Sequence, residues 1–173
     1  MARPRTFDEE RALDAAMHIY NTFKSKHELF QRALHRYLTT MNEAQLAVLE
    51  DPARSGADRI RALFVLVLDG DAGNRPAGRS LGCLSVNTTV ELAGRDAVAA
   101  GILERDTALR LAALRATVEA GRRDGSITSP RDAGDLARFL NATVAGLRVS
   151  AQGGADRAAL ESVAAIALDA LTT

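Results

Sequence analysis

One cysteine, Cys83, is all that this 173-residue chain carries. An internal disulfide cannot form from one thiol, and neither can a cysteine-based zinc site. Net charge of either sign is also missing, with 22 Lys and Arg against 22 Asp and Glu. The whole molecule is therefore no polycation, and any nucleic-acid contact has to be local. The first ten residues hold no apolar run, which argues against a secretory signal. The longest apolar run, residues 63–68, is far too short to span a bilayer. These absences point to a soluble cytoplasmic protein with no membrane segment.

Enzymatic signatures are missing as well. There is no nucleophile-base-acid spacing, no P-loop, no glycine-rich dinucleotide turn and no helix with paired metal ligands. Asp69-Gly70-Asp71 lacks the remaining ligands of a calcium loop. His27 and His35 fall on one expected helix but two turns apart, too far to share a metal, and His18 stands alone. The reading is a non-enzyme without cofactor or metal.

What is present is helical. Apolar residues make up 47 %, enough for a core, and charged residues 25 %, which argues against disorder. Alternating strand patterns are absent. Thr6-Phe7-Asp8-Glu9 and Ser25-Lys26-His27-Glu28 both fit capping boxes. Behind the second, Phe30, Ala33, Leu34, Tyr37, Met41, Ala44 and Val48 recur at helical spacing as far as Asp51-Pro52. Further helices are expected over about 57–68, 82–93, 97–123, from Ser129-Pro130 to about 150, and over about 156–171. Residues 69–81 read as a glycine-rich loop. The expected fold class is all-α.

Particular residues then carry a resemblance. Arg3-Pro4-Arg5, Phe7-Asp8 and Ala12-Leu13-Asp14-Ala15-Ala16-Met17 resemble the arm and first helix of TetR-family transcriptional regulators. The stretch from Ile19-Tyr20-Asn21-Thr22-Phe23 to Leu29-Phe30 resembles the end of their recognition helix and the start of their fourth helix. Gly82-Cys83-Leu84, Asp135-Leu136-Ala137 and Gly146-Leu147 are similar to one branch's regulatory domain. The resemblance implies a DNA-binding head over 1–30 and a ligand-binding and dimerisation body over 31–173.

One departure matters. The family places a turn, a second helix and most of the recognition helix between the first helix and the Tyr-x-x-Phe stretch. Here Met17 is followed at once by His18-Ile19-Tyr20. The base-reading unit would occupy about 25 residues at that junction. Either a segment of that size belongs there and is absent from this sequence, or it is deleted. A continuous chain would run as one helix over about 8–23, unable to insert a recognition helix into the major groove.

The resemblance assigns phosphate contacts to Tyr20 and Lys26. Thr22 and the Ser25-capped helix start supply further polar groups, and Arg3 and Arg5 lie in an arm able to reach the duplex. From spacing alone, Tyr20 packs in a small core, Lys26 is solvated and the arm is a tail. An effector pocket is expected among Phe64, Leu68, Cys83, Asn87, Leu111, Leu114 and Asn141, apolar walls with a few polar groups. Cys83 reads either as a thiol that senses reactive compounds or as a small core residue. Taken singly, Asn87 and Asn141 read as caps or bridges to neighbouring backbone.

Near the end, Leu136, Phe139, Leu140, Thr143 and Leu147, then Leu160, Val163, Ala164, Ala167 and Leu171, form apolar stripes. They suit either a two-fold four-helix interface or the chain's own core. The resulting expectation is a homodimeric repressor on double-stranded operator DNA, released by a small effector. The alternative is a dimeric helical ligand-binding protein without DNA activity.

Overall fold

A computed structural model describes residues 9–73 and 82–172. Seven helices and no strand occur among them: α1 (Glu9–Thr22), α2 (Lys26–Leu49), α3 (Gly56–Gly73), α4 (Leu84–Leu92), α5 (Ala97–Asp124), α6 (Ala133–Gln152) and α7 (Arg157–Asp169). The all-α expectation holds. Arg3, Arg5 and Thr6, with the first capping box, lie outside the described residues.

The core is built by α3, α5, α6 and α7. Ile60, Leu63 and Phe64 of α3 meet Leu114 and Val118 of α5. Leu136, Leu140, Val144 and Leu147 of α6, with Leu160, Ala164 and Ala167 of α7, close the other side. A second, smaller cluster joins Leu34 and Leu38 of α2 to Leu103 of α5. The long α2 thus leans on the body through two separate patches.

Local chemistry sets the helix ends. Ser25 Oγ accepts the Glu28 N–H at 3.1 Å, while Glu28 Oε2 reaches back to the Lys24 N–H at 3.1 Å. The capping box is present, with its return bond one residue earlier than in the standard pattern. Asp96 Oδ1 caps α5 by accepting from Val98 and Ala99. Gly125 ends that helix in the left-handed region, at φ 79°, where a residue lacking Cβ sits without strain.

Two boundaries differ from the sequence reading. The start of α6 is capped by Asp132, whose Oδ1 accepts from Gly134 and Asp135, and not by Ser129. Ser129 is instead tied to the chain end: its N–H and that of Thr128 both donate to the Leu171 carbonyl. The expected loop from residue 69 begins later, because α3 continues to Gly73. Asp69 in that extension pairs with Arg157 of α7 at 2.7 Å.

The start of α3 and the end of α5 meet at backbone distance. A Cβ on Gly56 would stand 2.3 Å from Gly121 Cα. The free amides at the start of α3 are capped from across the gap: Gly56 N–H donates to Asp124 Oδ2 at 2.8 Å and Ala57 N–H to Ser126 Oγ at 3.1 Å. Gly56→Ala should therefore cost about 1–3 kcal/mol of unfolding free energy by overpacking. Gly101→Ala, inside α5 with only Arg105 Nη1 near at 3.5 Å, should gain about 0.5–1 kcal/mol. Urea melts of both variants check this, and an unchanged Gly56→Ala midpoint would contradict the close packing.

Candidate functional site: a cavity beneath α2

A cavity of about 220 Å³ lies beneath α2. Tyr37, Met41, Ala44 and Gln45 of α2 form its roof, and Leu66, Val67 and Gly70 of α3 one wall. Gly82 and Cys83, which lead into α4, and Arg148 of α6 complete it. The walls are mainly apolar and the polar groups few, as a small-molecule site requires.

The polar groups converge on one sulfur. Arg148 Nη1 donates to Cys83 Sγ at 3.1 Å, and Tyr37 OH donates to it at 3.5 Å. Ser85 Oγ lies 3.0 Å away. Cys83 is the N-cap residue of α4, so the positive end of that helix faces it too. Burial opposes charge on the sulfur and is the largest single influence. The Arg148 guanidinium, the Ser85 hydroxyl, the Tyr37 phenol and the Val86 amide together outweigh it, holding the thiol below its ordinary 9.0. The Tyr37 phenol is pushed up to about 12, first by burial and then by the sulfur beside it.

Arg148 is 7 % exposed, and among the described residues no carboxylate forms an ion pair with it. Gln45 is 4 % exposed, and its side chain makes no hydrogen bond among the described residues. Two buried polar side chains thus face the cavity with unused bonding capacity.

Of the residues expected to line a pocket, Cys83 does so. Phe64, Leu68 and Leu114 lie in the main core, with Leu111 packed against it. Asn87 is half-buried on α4. Asn141 Oδ1 accepts from Arg110 Nε at 3.1 Å, within a polar network that continues through Asp106 to Asn42 of α2. The sequence reading missed Tyr37, Met41, Gln45, Ser85 and Arg148. For Arg148 a signal existed, since a charge at core spacing between Val144, Leu147 and Ala151 marks a buried ion.

At the other end of α2, Lys26 is exposed, and the Thr22 hydroxyl donates to the His18 carbonyl at 2.7 Å. Tyr20 falls on α1, and its side chain lies outside the description. Helix α1 runs unbroken through Met17-His18-Ile19 and packs on no other described helix. Its Leu13 and Met17 are exposed.

In the terminal pair, Leu136, Leu140, Leu147, Leu160, Ala164, Ala167 and Leu171 are buried in the chain's own core. Phe139 and Val163 stay exposed, beside Val149 and Ile166, and Thr143 donates to the Phe139 carbonyl. Seven of the ten residues of the expected stripes therefore face inward, and Phe139 and Val163 face out.

Among the described residues no cluster of His, Cys, Asp or Glu is placed to hold a metal, and no helix is long and apolar enough to cross a membrane.

An all-helical body with a small cavity under a long connecting helix is the architecture of a ligand-sensing regulator. The sequence bears this out: a family described as tetracycline repressor-like, C-terminal domain, matches residues 56–167, and the chain belongs to the TetR family of transcriptional regulators. The HTH-type transcriptional repressor ComR of Escherichia coli (strain K12) is 27 % identical over 195 aligned positions, covering 96 % of this chain and 90 % of ComR. That alignment outruns the 173-residue chain, so at least 22 of its positions lie opposite gaps here. A cysteine mutant of the TetR-family regulator CifR, solved with a 26-bp operator duplex, is 25 % identical with a TM-score of 0.73, over 97 % of this chain and 99 % of that one. A TetR-family regulator from Agrobacterium tumefaciens shares the fold at a TM-score of 0.79 and 20 % identity, over 98 % and 88 % of the two chains.

The donor set around Cys83 has a measurable consequence. Alkylation rate should rise with pH to a midpoint below that of an ordinary thiol. Ser85→Ala and Tyr37→Phe should each move the midpoint upward, because each removes a partner of the thiolate. By linkage, a thiol pKa lower in the folded than in the unfolded state adds stability above the unfolded value. That contribution fades as pH falls through the folded value. Stopped-flow alkylation across pH checks the midpoint, and one at or above the ordinary thiol value would refute the arrangement.

Proposed function

We propose that the protein is a ligand-responsive, DNA-binding transcriptional repressor that acts as a homodimer and leaves its operator when a small effector occupies the cavity beneath α2. The observation that carries this reading is the position of the cavity under the helix that joins the N-terminal segment to the body. Leu49, at the C-terminal end of α2, is anchored: its carbonyl accepts from Thr117 Oγ1 at 3.2 Å and Arg59 Nη1 at 3.4 Å. In this reading an effector that presses on Tyr37 and Met41 tilts α2 about Leu49, shifts the contacts of Leu34 and Leu38 with Leu103 and of His27 with Asp96, and so displaces its N-terminal end. ComR supplies the sign as a repressor, and CifR the operator complex.

In this reading residues 1–30 belong to the DNA-binding head and 31–173 to the body. Arg3, Arg5, Tyr20, Thr22, Ser25 and Lys26 form the head's phosphate-contacting edge, while bases are read by about 25 further residues at 17–19. The gaps in the ComR alignment are consistent with such a segment. Two heads about 34 Å apart would meet successive major grooves of a pseudo-palindrome. The effector acts by shifting population between spacings that fit the duplex and spacings that do not.

The dimer face in this reading is the outward side of α6 and α7, with Phe139 and Val163 at its centre. Phe139→Asp should yield monomers by light scattering while helical content is retained. A dimer of unchanged stability would move the interface elsewhere.

Met41→Trp fills the cavity and should imitate the effector. Measured by band shift on the gene's own upstream region, operator affinity should fall by about 5- to 150-fold, the usual range of an allosteric coupling. Equal affinity in a folded Met41→Trp protein would sink the coupling. Binding with no sequence preference, from a native protein of 18.4 kDa, would return the alternative of a ligand-binding protein without operator activity.

A further inference from the structure

Three features of the cavity ask for a ligand of particular chemistry. The first is a nucleophilic sulfur, Cys83 Sγ, held by the Arg148 guanidinium, the Ser85 hydroxyl and the Tyr37 phenol. The second is Arg148 itself. This cation is more than nine-tenths buried, and one N–H donates to the sulfur as its only acceptor among the described residues. A guanidinium carries five such donors. The third is the Gln45 side chain, also more than nine-tenths buried, on the cavity wall and without a hydrogen bond among the described residues. A core that only needed filling would not place a cation and an unbonded amide around a void. The void is also small, about 220 Å³.

We propose that Cys83, Arg148 and Gln45 form a covalent site for small α,β-unsaturated carbonyl compounds, with the carbonyl oxygen on the Arg148 and Gln45 donors and the β-carbon on Cys83 Sγ. The consequence at the operator rests on the functional reading above; the site chemistry does not.

The step balances without an added oxidant or leaving group. The Cys83 thiolate forms the S–C bond to the β-carbon. The alkene π pair shifts onto the α-carbon and oxygen as an enolate. Arg148 and Gln45 hydrogen-bond the oxygen as its charge grows, and water then protonates the α-carbon, leaving a thioether. Donors fixed where charge develops accelerate such a step far more than they strengthen ground-state binding. An alkyl halide gains nothing from them, because displacement puts its charge on the departing halide.

This selectivity is the readout. Methyl vinyl ketone and iodoethane are similar in size and both alkylate thiols. Their rate constants with the full chain, each taken from a pH profile at full thiolate, give a ratio to set against the same ratio for glutathione. Intact mass and peptide mapping locate the adduct. The protein's ratio should exceed that of glutathione by about a hundredfold, the usual effect of an oxyanion donor. Gln45→Leu should lower it by about fivefold, the worth of one neutral hydrogen bond. Arg148→Met should bring it close to the glutathione value. Circular dichroism checks the fold of each variant, and Gln45→Leu, which leaves the Arg148–Cys83 contact in place, carries the test if Arg148→Met unfolds.

A wild-type ratio equal to that of glutathione overturns the proposal. So does a raised ratio that folded Gln45→Leu and Arg148→Met leave untouched, or an adduct away from Cys83. Alkylated protein is then assayed by band shift. A raised, donor-dependent ratio with unchanged operator affinity upholds the site and overturns only the repressor reading.

Discussion

A guanidinium taken out of water needs negative charge within reach, since the penalty for burying an ion remains several kcal/mol even after relaxation. Arg148 meets that need with a thiol, because no carboxylate among the described residues pairs with it. The cavity follows from this contact. Cys83 must sit where α4 begins, Tyr37 must turn inward from α2, and Arg148 must take a position in the buried, apolar register of α6. Three helices distant in sequence are thereby held to one sulfur atom. Asp106 and Arg110 show the other solution to the same problem: a paired ion, further bonded by Asn42 and Asn141, with no adjoining nucleophile.

The body around this contact is stiff for ordinary reasons. Phe64, Leu136 and Leu140 are almost wholly excluded from solvent, and each such side chain contributes roughly 1.5–3 kcal/mol of apolar burial. Gly56 and Gly121 let the ends of α3 and α5 meet at backbone distance, and Asp124 and Ser126 bond the amides left free there. The helix α2 is held at Leu49 by the main core and at Leu34 and Leu38 by α5, whereas α1 packs on no other helix among the described residues. Packing between helices ends at α2, and the segment before it is the part a regulator has to move.

Much of the fold was legible because amphipathic spacing is a local property. The run from Phe30 to Val48 announced α2, and Ser25 with Glu28 announced its start. Where the reading slipped, a distant partner had intervened. Ser129-Pro130 has the look of a helix start, but Ser129 is drawn to Leu171, so Asp132 takes the cap. The apolar stripes of α6 and α7 were visible as well. Which side faced inward was not, because it depends on the angle at which α3 and α5 meet them. The cavity was the least legible feature. Its walls come from four separate segments, and Phe64, Leu68 and Leu114 have the composition of a pocket wall yet fill the core. Of the residues expected at a pocket only Cys83 lines this cavity, and its surroundings come from Arg148, 65 positions away.

The anchored end of α2 has a mechanical consequence. With Leu49 as a fulcrum and a rise of about 1.5 Å per residue, Tyr37 stands about 18 Å along the helix and Lys26 about 35 Å. The arms are in a ratio of about two to one. A thioether that lifts the roof by about one ångström and shifts Leu34 and Leu38 off Leu103 would swing the far tip by about two, and in a two-fold dimer the paired tips would part by up to about four. Helix length then sets the gain, and each added turn between Lys26 and Tyr37 would lengthen the output arm without altering the sensor.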